Sequence, residues 1–245
     1  MREIGDGVPA KSTPVPHPGR KVRIACRVGA KGNPYSVGED CLQHFSETTK
    51  YTFTRLTGAD ALARLDPSAF DLLYDGLPEA VYSAAECKTV FALLARGARI
   101  FLSGENQGFA AEENKRVTQI INTLGGAMVV LPESIMTVVD KFHGTHPLCA
   151  GVSEMSFNNW APLAIEPTPG VEVVMGNKDG RIAMVDLPMS RGALTVVADI
   201  NVFGQGNATF WQNLAHIAAA SVDKASPPPP SAAAQVAENK AATLS

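Results

Sequence analysis

Apolar residues along this chain fall into short runs separated by stretches of helical period. Val22–Val28 reads as a strand, as do Tyr51–Leu56, Phe70–Tyr74, Arg99–Ser103 and Ala127–Leu131. Between the first two, Val37, Cys41 and Phe45 recur every four residues and predict a helix over 36–46. Ala59–Leu65 reads as a short helix ended by Asp66-Pro67, because proline drives the residue before it out of the helical region. Ser83 with Glu86 three positions on forms a capping box. The helix it starts runs to Arg96 and stops at Gly97, and another covers Ala111–Leu124 and closes at Gly125-Gly126.

After Leu131 the rhythm changes. Residues 132–170 are loop-rich, with strands expected around Ser156 and over Leu163–Glu166. Val171–Met175 and Arg181–Leu187 read as an antiparallel pair joined through Asn177-Lys178-Asp179-Gly180. Ala193–Ala198 is apolar throughout, as a strand buried on both faces must be. Phe210–Val222 carries Trp211, Leu214, Ala215, Ala218 and Val222 on one stripe and closes the pattern as a helix.

Strand–helix alternation over about 110 residues predicts an α/β fold. The expected form is a flavodoxin-like, doubly wound, mostly parallel sheet with helices on both faces and an antiparallel extension in the C-terminal half. Residues 1–20 lack periodicity and read as a flexible N-terminal arm, followed by one folded domain over 21–223. Residues 224–245, with Pro227–Pro230 and an Ala-rich stretch, read as a Pro/Ala-rich tail.

Composition narrows the function classes. The 245 residues are 45% hydrophobic and 18% charged with a net charge of -3, which suits a soluble globular chain and supplies no basic excess for nucleic acid. No window of about 18 apolar residues suggests a membrane span. The first 20 residues lack the apolar core of a secretory signal, so a cytoplasmic protein is expected, with export by another route left open. Cys26, Cys41, Cys87 and Cys149 are widely spaced, contain no C-x-x-C, and read as buried free thiols.

The chemistry concentrates at Gly104-Glu105-Asn106-Gln107-Gly108, between a strand and a helix. A strand, a Gly-bounded turn and a helix is the layout of a nucleophile elbow, which holds Ser or Cys at its centre. Here the centre is Asn106, whose carboxamide is a poor nucleophile.

The chain resembles the class I glutamine amidotransferase-like superfamily over roughly 22–220. The resemblance rests on the first strand, on Leu93–Asn106, on His146-Pro147-Leu148-Cys149-Ala150-Gly151-Val152, and on Gly192–Phe203 with Asn213-Leu214. It is nearest to non-catalytic branches similar to the intraflagellar-transport amidotransferase-like and trehalose-utilisation-like domains. Those branches share the Gly-Glu elbow segment, the His-Pro-Leu-x-x-Gly-Val segment and an Asp-x-x-x-Phe, here Asp199-Ile200-Asn201-Val202-Phe203. Catalytic members use an elbow Cys and a late His-x-Glu pair. Asn106 replaces the first, and His146 is followed by Pro147-Leu148 instead of the second. The resemblance therefore implies a degenerate branch without the family's hydrolysis.

Gly104, Glu105, Asn106, Gln107, Asp199 and Asn201 are the ligand-binding candidates, because open α/β sheets bind at the carboxyl ends of their strands. The alternative is local: Asn106 tolerating a left-handed turn, Glu105 capping the next helix, and Asp199 capping amides of 201–207. A hydrolase of carbohydrate or a related polar substrate would use Glu105 and Asp199 as acid and base at glycosidase-like separation, with His143 or His146 assisting. His143, His146 and Asp140 lack further ligands for a metal, and Gly29–Tyr35 lacks G-x-G-x-x-G, so no metal and no cofactor is expected. Trp160 with Phe157 and Pro162 reads as a packed flap rather than a sugar platform. The primary reading is a non-enzymatic binding or assembly module. A protein partner or self-assembly through the arms is expected, with a small polar ligand or a small-molecule-sensing role as alternatives.

Overall fold

The computed structural model describes residues 13–27, 44–153, 155, 157–166, 169–203 and 207–225. Strands β1 (Val22–Arg27) and β2 (Tyr51–Leu56) pair in parallel, and β1 pairs in parallel with β3 (Leu72–Gly76) on its other side. Next to β3 comes β4 (Arg99–Ser103), and beyond it, still parallel, β10 (Gly192–Val197). The remaining strands are β5 (Met128–Val130), β6 (Lys141–Phe142), β7 (Leu163–Ile165), β8 (Glu172–Gly176) and β9 (Ile182–Met189). The sheet order is β2-β1-β3-β4-β10-β9-β7-β5, with β8 on β9 and β6 on β8. The strands from β2 to β10 form the parallel half, and the order reverses between β1 and β3 as in flavodoxin-like sheets.

Among the described residues, three helices flank this sheet: α1 (Ala84–Ala95), α2 (Gln107–Thr123) and α3 (Ala208–Ala225). Paired strand residues share a face, so Tyr74 and Phe101 lie together, and Trp211 of α3 packs on both at ring distances of 6.1 and 5.0 Å. Phe45 joins the same layer, 6.3 Å from Trp211. Right-handed crossovers place α1 on the opposite face, where Val90, Leu93 and Leu94 are buried.

Local chemistry explains the helix ends. Ser83 Oγ accepts from Glu86 N at 3.3 Å while Glu86 accepts from Ser83 N at 2.8 Å, completing the capping box. At the other end Gly97 takes φ +91 and Ala98 N donates to Leu93 O at 3.0 Å, a Schellman closure.

Several sequence expectations are corrected. Residues 59–64 form turns held by Arg64 N to Asp60 O at 3.1 Å instead of a helix. The third strand begins two residues later than Phe70, because Asp66-Pro67 first nucleates a 3-10 turn over Pro67–Ala69. Helix α2 begins at Gln107, four residues before Ala111, with a kink at Ala110 (φ -132, ψ 43). The fifth strand does not continue the parallel series. It sits at the far edge antiparallel to β7, and β10 takes the place beside β4. The expected helix over 36–46 falls almost wholly outside the described residues, and Ser156, Cys41, residues 1–12 and residues 226–245 fall outside them entirely. Cys26, Cys87 and Cys149 are buried free thiols.

Residues 13–20, read from sequence as part of the arm, are fastened to the body. Val15 N donates to Asn213 Oδ1 at 2.8 Å, and Arg20 pairs with Asp71 and Asp223, both at 2.8 Å. Asp71 is fully buried and also takes Arg23 at 2.6 Å. Its burial opposes ionisation, yet the bonds from Arg23 and Arg20 outweigh that and hold its carboxyl below the ordinary range.

Candidate functional site

Ser103 and Val197 close β4 and β10 side by side, so the segments following them leave the sheet together. Gly104 N still donates to Val197 O at 2.8 Å. Glu105 and Asp199 each stand two residues past the last strand pair, on one face. A side chain at 104 would crowd Asn114 Oδ1, which lies 3.0 Å from where its Cβ would be. Without one, Asn114 binds both sides of the Glu105 backbone, Nδ2 to Glu105 O at 2.6 Å and Oδ1 from Glu105 N at 3.0 Å. The turn is thereby locked by a buried carboxamide.

The Glu105 and Asp199 carboxyls lie close enough for each to influence the other's ionisation. Burial, and then the neighbouring Asp199 charge, push Glu105 up to about 7. Asp199 is also raised, by burial, although its N–H partners pull the other way. Both carboxyls are met by donors. Glu105 Oε1 accepts from Asn106 N at 2.6 Å and Asn106 Nδ2 at 2.7 Å. Asp199 Oδ1 accepts from Asn201 N at 2.7 Å and Asn201 Nδ2 at 2.8 Å, while Oδ2 accepts from Asn158 N at 2.6 Å. The two acids with their N–H donors thus clasp three loops: 104–107, 157–159 and 199–201.

Gly104, Glu105, Asn106, Asp199 and Asn201 therefore do come together. Gln107 adjoins them as the first residue of α2, its N–H donating to Glu133 O at 3.3 Å. The elbow geometry does not appear. Asn106 has φ -55 and ψ 147, ordinary extended backbone, and its side chain makes no cap bond to α2. The left-handed turn expected at Asn106 is corrected on that ground, since its carboxamide is turned inward onto Glu105. Asp199 does act on local amides, as its two bonds from Asn201 illustrate.

Two buried oxygens near the clasp lack hydrogen-bond partners among the described residues. Ser103 Oγ lies two residues before Glu105 on the same face, and Asn159 Oδ1 follows Asn158 on a left-handed backbone (φ 51). Trp160 is fully buried, donates Nε1 to Thr137 O at 2.8 Å and meets Phe157 edge-on at 6.1 Å, the arrangement of a packed flap.

The two histidines lie elsewhere. His146 Nδ1 accepts from Leu148 N at 3.2 Å, so its proton sits on Nε2, which faces Glu172 at 3.3 Å and Asp186 at 3.5 Å. Asp186 pairs with Thr195, four residues before Asp199, which places the histidine end of this cluster about 13 Å down the strand from the clasp. His143 Nδ1 meets Thr145 Oγ1 at 3.4 Å, and Asp140 instead accepts from Lys178 N at 2.8 Å. Assistance by His143 or His146 at Glu105 and Asp199 is thus not what this geometry provides. Among the described residues, no three His, Cys, Asp or Glu side chains are grouped to hold a metal ion. Gly29–Tyr35 lies outside the described residues.

Two polar clusters were not anticipated. Arg99 binds Asp186 and donates to Thr195 Oγ1 at 2.7 Å, and Thr195 donates to Asp186 at 2.8 Å. Burial would raise Asp186, but Arg99 and His146 hold it down at about 2. At the β1–β3 reversal, Arg27 bridges Asp75 at 3.3 Å and Glu86 at 3.0 Å, its guanidinium 5.5 Å over the Tyr82 ring. Burial lifts Asp75 to about 6, partly offset by Arg27. The Tyr82 hydroxyl lies beside Asp75 without a well-aligned hydrogen bond. The available signal was a charge inside each apolar run, Asp75 in Leu72–Gly76 and Asp186 in Ile182–Met189.

No family model matches the chain, and no curated protein matches it in sequence. Among solved structures, it is similar to the N-terminal domain of mmIFT52 (TM-score 0.56, 10% identity, covering 85% of this chain and 99% of that one). It is also similar to cytoplasmic protein STM1381 from Salmonella typhimurium LT2 (TM-score 0.53, 14% identity, 80% and 98% covered). A third is a ThuA-like protein from Parabacteroides merdae ATCC 43184 (TM-score 0.51, 10% identity, 86% and 94% covered). These likenesses establish a shared fold, and it is the fold of the amidotransferase-like branches that the sequence resembles. Among the described residues, no helix is long and apolar enough to cross a membrane.

Proposed function

We propose that this chain is a non-hydrolytic interaction module built on an amidotransferase-like fold, contributing to a protein assembly. The observation that carries this is the clasp. The residue at the place of a nucleophile is Asn106, and its carboxamide is spent on Glu105. The Glu105 and Asp199 carboxyls accept from the protein's own N–H groups, an arrangement that holds loops together. The resemblance of the sequence to non-catalytic branches supports this placement, and the N-terminal domain of mmIFT52 shares the fold.

The test is the native mass by light scattering of the full chain, of a chain lacking 1–12 and 226–245, and of Glu105→Gln and Asp199→Asn variants. Residues 13–20 are kept because they are packed on the body. An assembly that persists in both variants and is weakened by trimming supports the reading. A hydrolytic activity on carbohydrate or ester substrates, abolished by either variant in a folded protein, would overturn it.

A further inference from the structure

Residues Thr13–Pro18 read Thr-Pro-Val-Pro-His-Pro. Proline fixes its own φ near -65° and pushes the residue before it to extended ψ, so this alternation is extended whether bound or free. Proline also lacks an N–H, which leaves Val15 and His17 as the donors between Pro14 and Pro18. Val15 is read at both backbone atoms. Its N–H donates to Asn213 Oδ1 at 2.8 Å, and its carbonyl accepts from His216 Nδ1 at 2.8 Å.

Both reading groups are set by the body of the protein. Asn213 is fully buried, and its Nδ2 donates to Ala150 O at 2.7 Å and Leu148 O at 3.2 Å, so Oδ1 can only point at the strap. With Nδ1 donating to Val15, His216 Nε2 accepts from the Tyr51 hydroxyl at 2.9 Å. The ring of His17 stands edge-on to His216 at 5.0 Å and to Tyr51 at 6.1 Å, and Pro14 seats against Gly151. An extended proline-alternating segment on an aromatic-lined surface is a known recognition mode, favoured because little ordering entropy is lost.

We propose that the groove between α3 and the 147–151 turn is a docking site for the extended Pro-Val-Pro segment of this chain, filled here in cis and exchanged with the same segment of a second copy. Three observations favour that occupant. Residues 13–20 are all exposed or half-buried, so the segment has no deeply buried apolar anchor to withdraw. Gly19 lies at φ +83 with open space around it, a hinge between the strap and the Arg20 anchor. The other proline run, Pro227–Pro230, offers no N–H for Asn213. Exchange about Gly19 gives an isologous pair, each copy filling the other's groove.

This rests on the reading of the chain as an interaction module. The test uses the full chain and a fluorescent peptide of residues 13–21. Anisotropy should show the peptide binding, and N-methylation of Val15, which removes the donor to Asn213, should weaken it about tenfold. Light scattering should give a mass that rises toward two copies with concentration and returns to one copy in excess peptide. No peptide binding overturns the groove. Peptide binding by a chain that stays single at every concentration overturns the second copy as occupant. Association that excess peptide leaves intact overturns the exchange while leaving the interaction-module reading standing.

Discussion

Glu105 and Asp199, 94 positions apart in sequence, come together past the ends of β4 and β10, where burial and the Asp199 charge raise Glu105. The clasp joins loops from three parts of the chain, and its strength depends on pH. An isolated Glu titrates near 4.5, and Glu105 in the folded chain near 7. Stability from the protonated pair is therefore complete below about 4.5 and is lost as pH rises through about 7. Thermal unfolding at pH 6 and pH 8 should show a midpoint several degrees lower at pH 8. In Glu105→Gln, whose side chain does not titrate, that difference should largely vanish. An unchanged pH dependence in this variant would show that the clasp is not the group responsible.

Asp71 carries two guanidiniums, with side chains of Arg20 and Arg23 33% and 34% exposed. Asp71→Ala should cost about 3 kcal/mol, the low end for a buried pair because those partners reach water. It should also expose residues 13–20 to limited proteolysis. Since the Asp71 carboxyl is held below its ordinary value, its contribution is present above pH 3.8 and falls away as the solution is acidified below that. Urea melts of both proteins, at neutral pH and near pH 3, would measure this.

Gly192 opens β10, and a Cβ there would stand 2.0 Å from Ala98 O, a backbone atom with no way to rotate aside. Gly192→Ala should destabilise by about 3 kcal/mol. Gly180 has φ +77 but nothing within 4 Å, so Gly180→Ala should cost only about 1 kcal/mol of left-handed strain. Paired denaturation curves separate steric from conformational cost. Equal losses would mean that β10 and α1 relax apart.

Cys149 is buried against Val174 O, and burial pushes its thiol up to about 12. Iodoacetamide at pH 8 should leave it unlabelled in the native protein and label it fully in urea, read by peptide mass. Rapid native labelling would mean that the 147–151 turn opens, and with it the groove that holds Val15.

Ser83→Ala removes one half of the capping box at α1 and should cost about 1 kcal/mol. The loss should be smaller in Ser83→Asp, which retains an acceptor. Chemical denaturation of the three proteins checks the order.

Much of the fold was legible in the sequence because it is locally encoded. The capping box at Ser83, the Gly97 stop, the apolar runs of β1, β2 and β4, and the turn through Asn177 each arise from neighbours within a few residues. The carboxyl-end position of Glu105 and Asp199 followed from the same runs. Local signals said nothing about partners. That β10 returns to lie between β4 and β9 is a pairing across 94 residues, driven by burial of an apolar strand on both faces. Only that pairing brings two separate acids into one clasp and leaves His146 with Asp186 instead. The arm shows the same division. Its proline alternation dictates an extended backbone, while Asn213 and His216, some 200 residues away, decide where that backbone is held. Sequence determines which conformations each segment can take, through backbone sterics and hydrophobic period. The tertiary structure decides which polar groups lose water together, and that sets the charges and contacts from which a function is built.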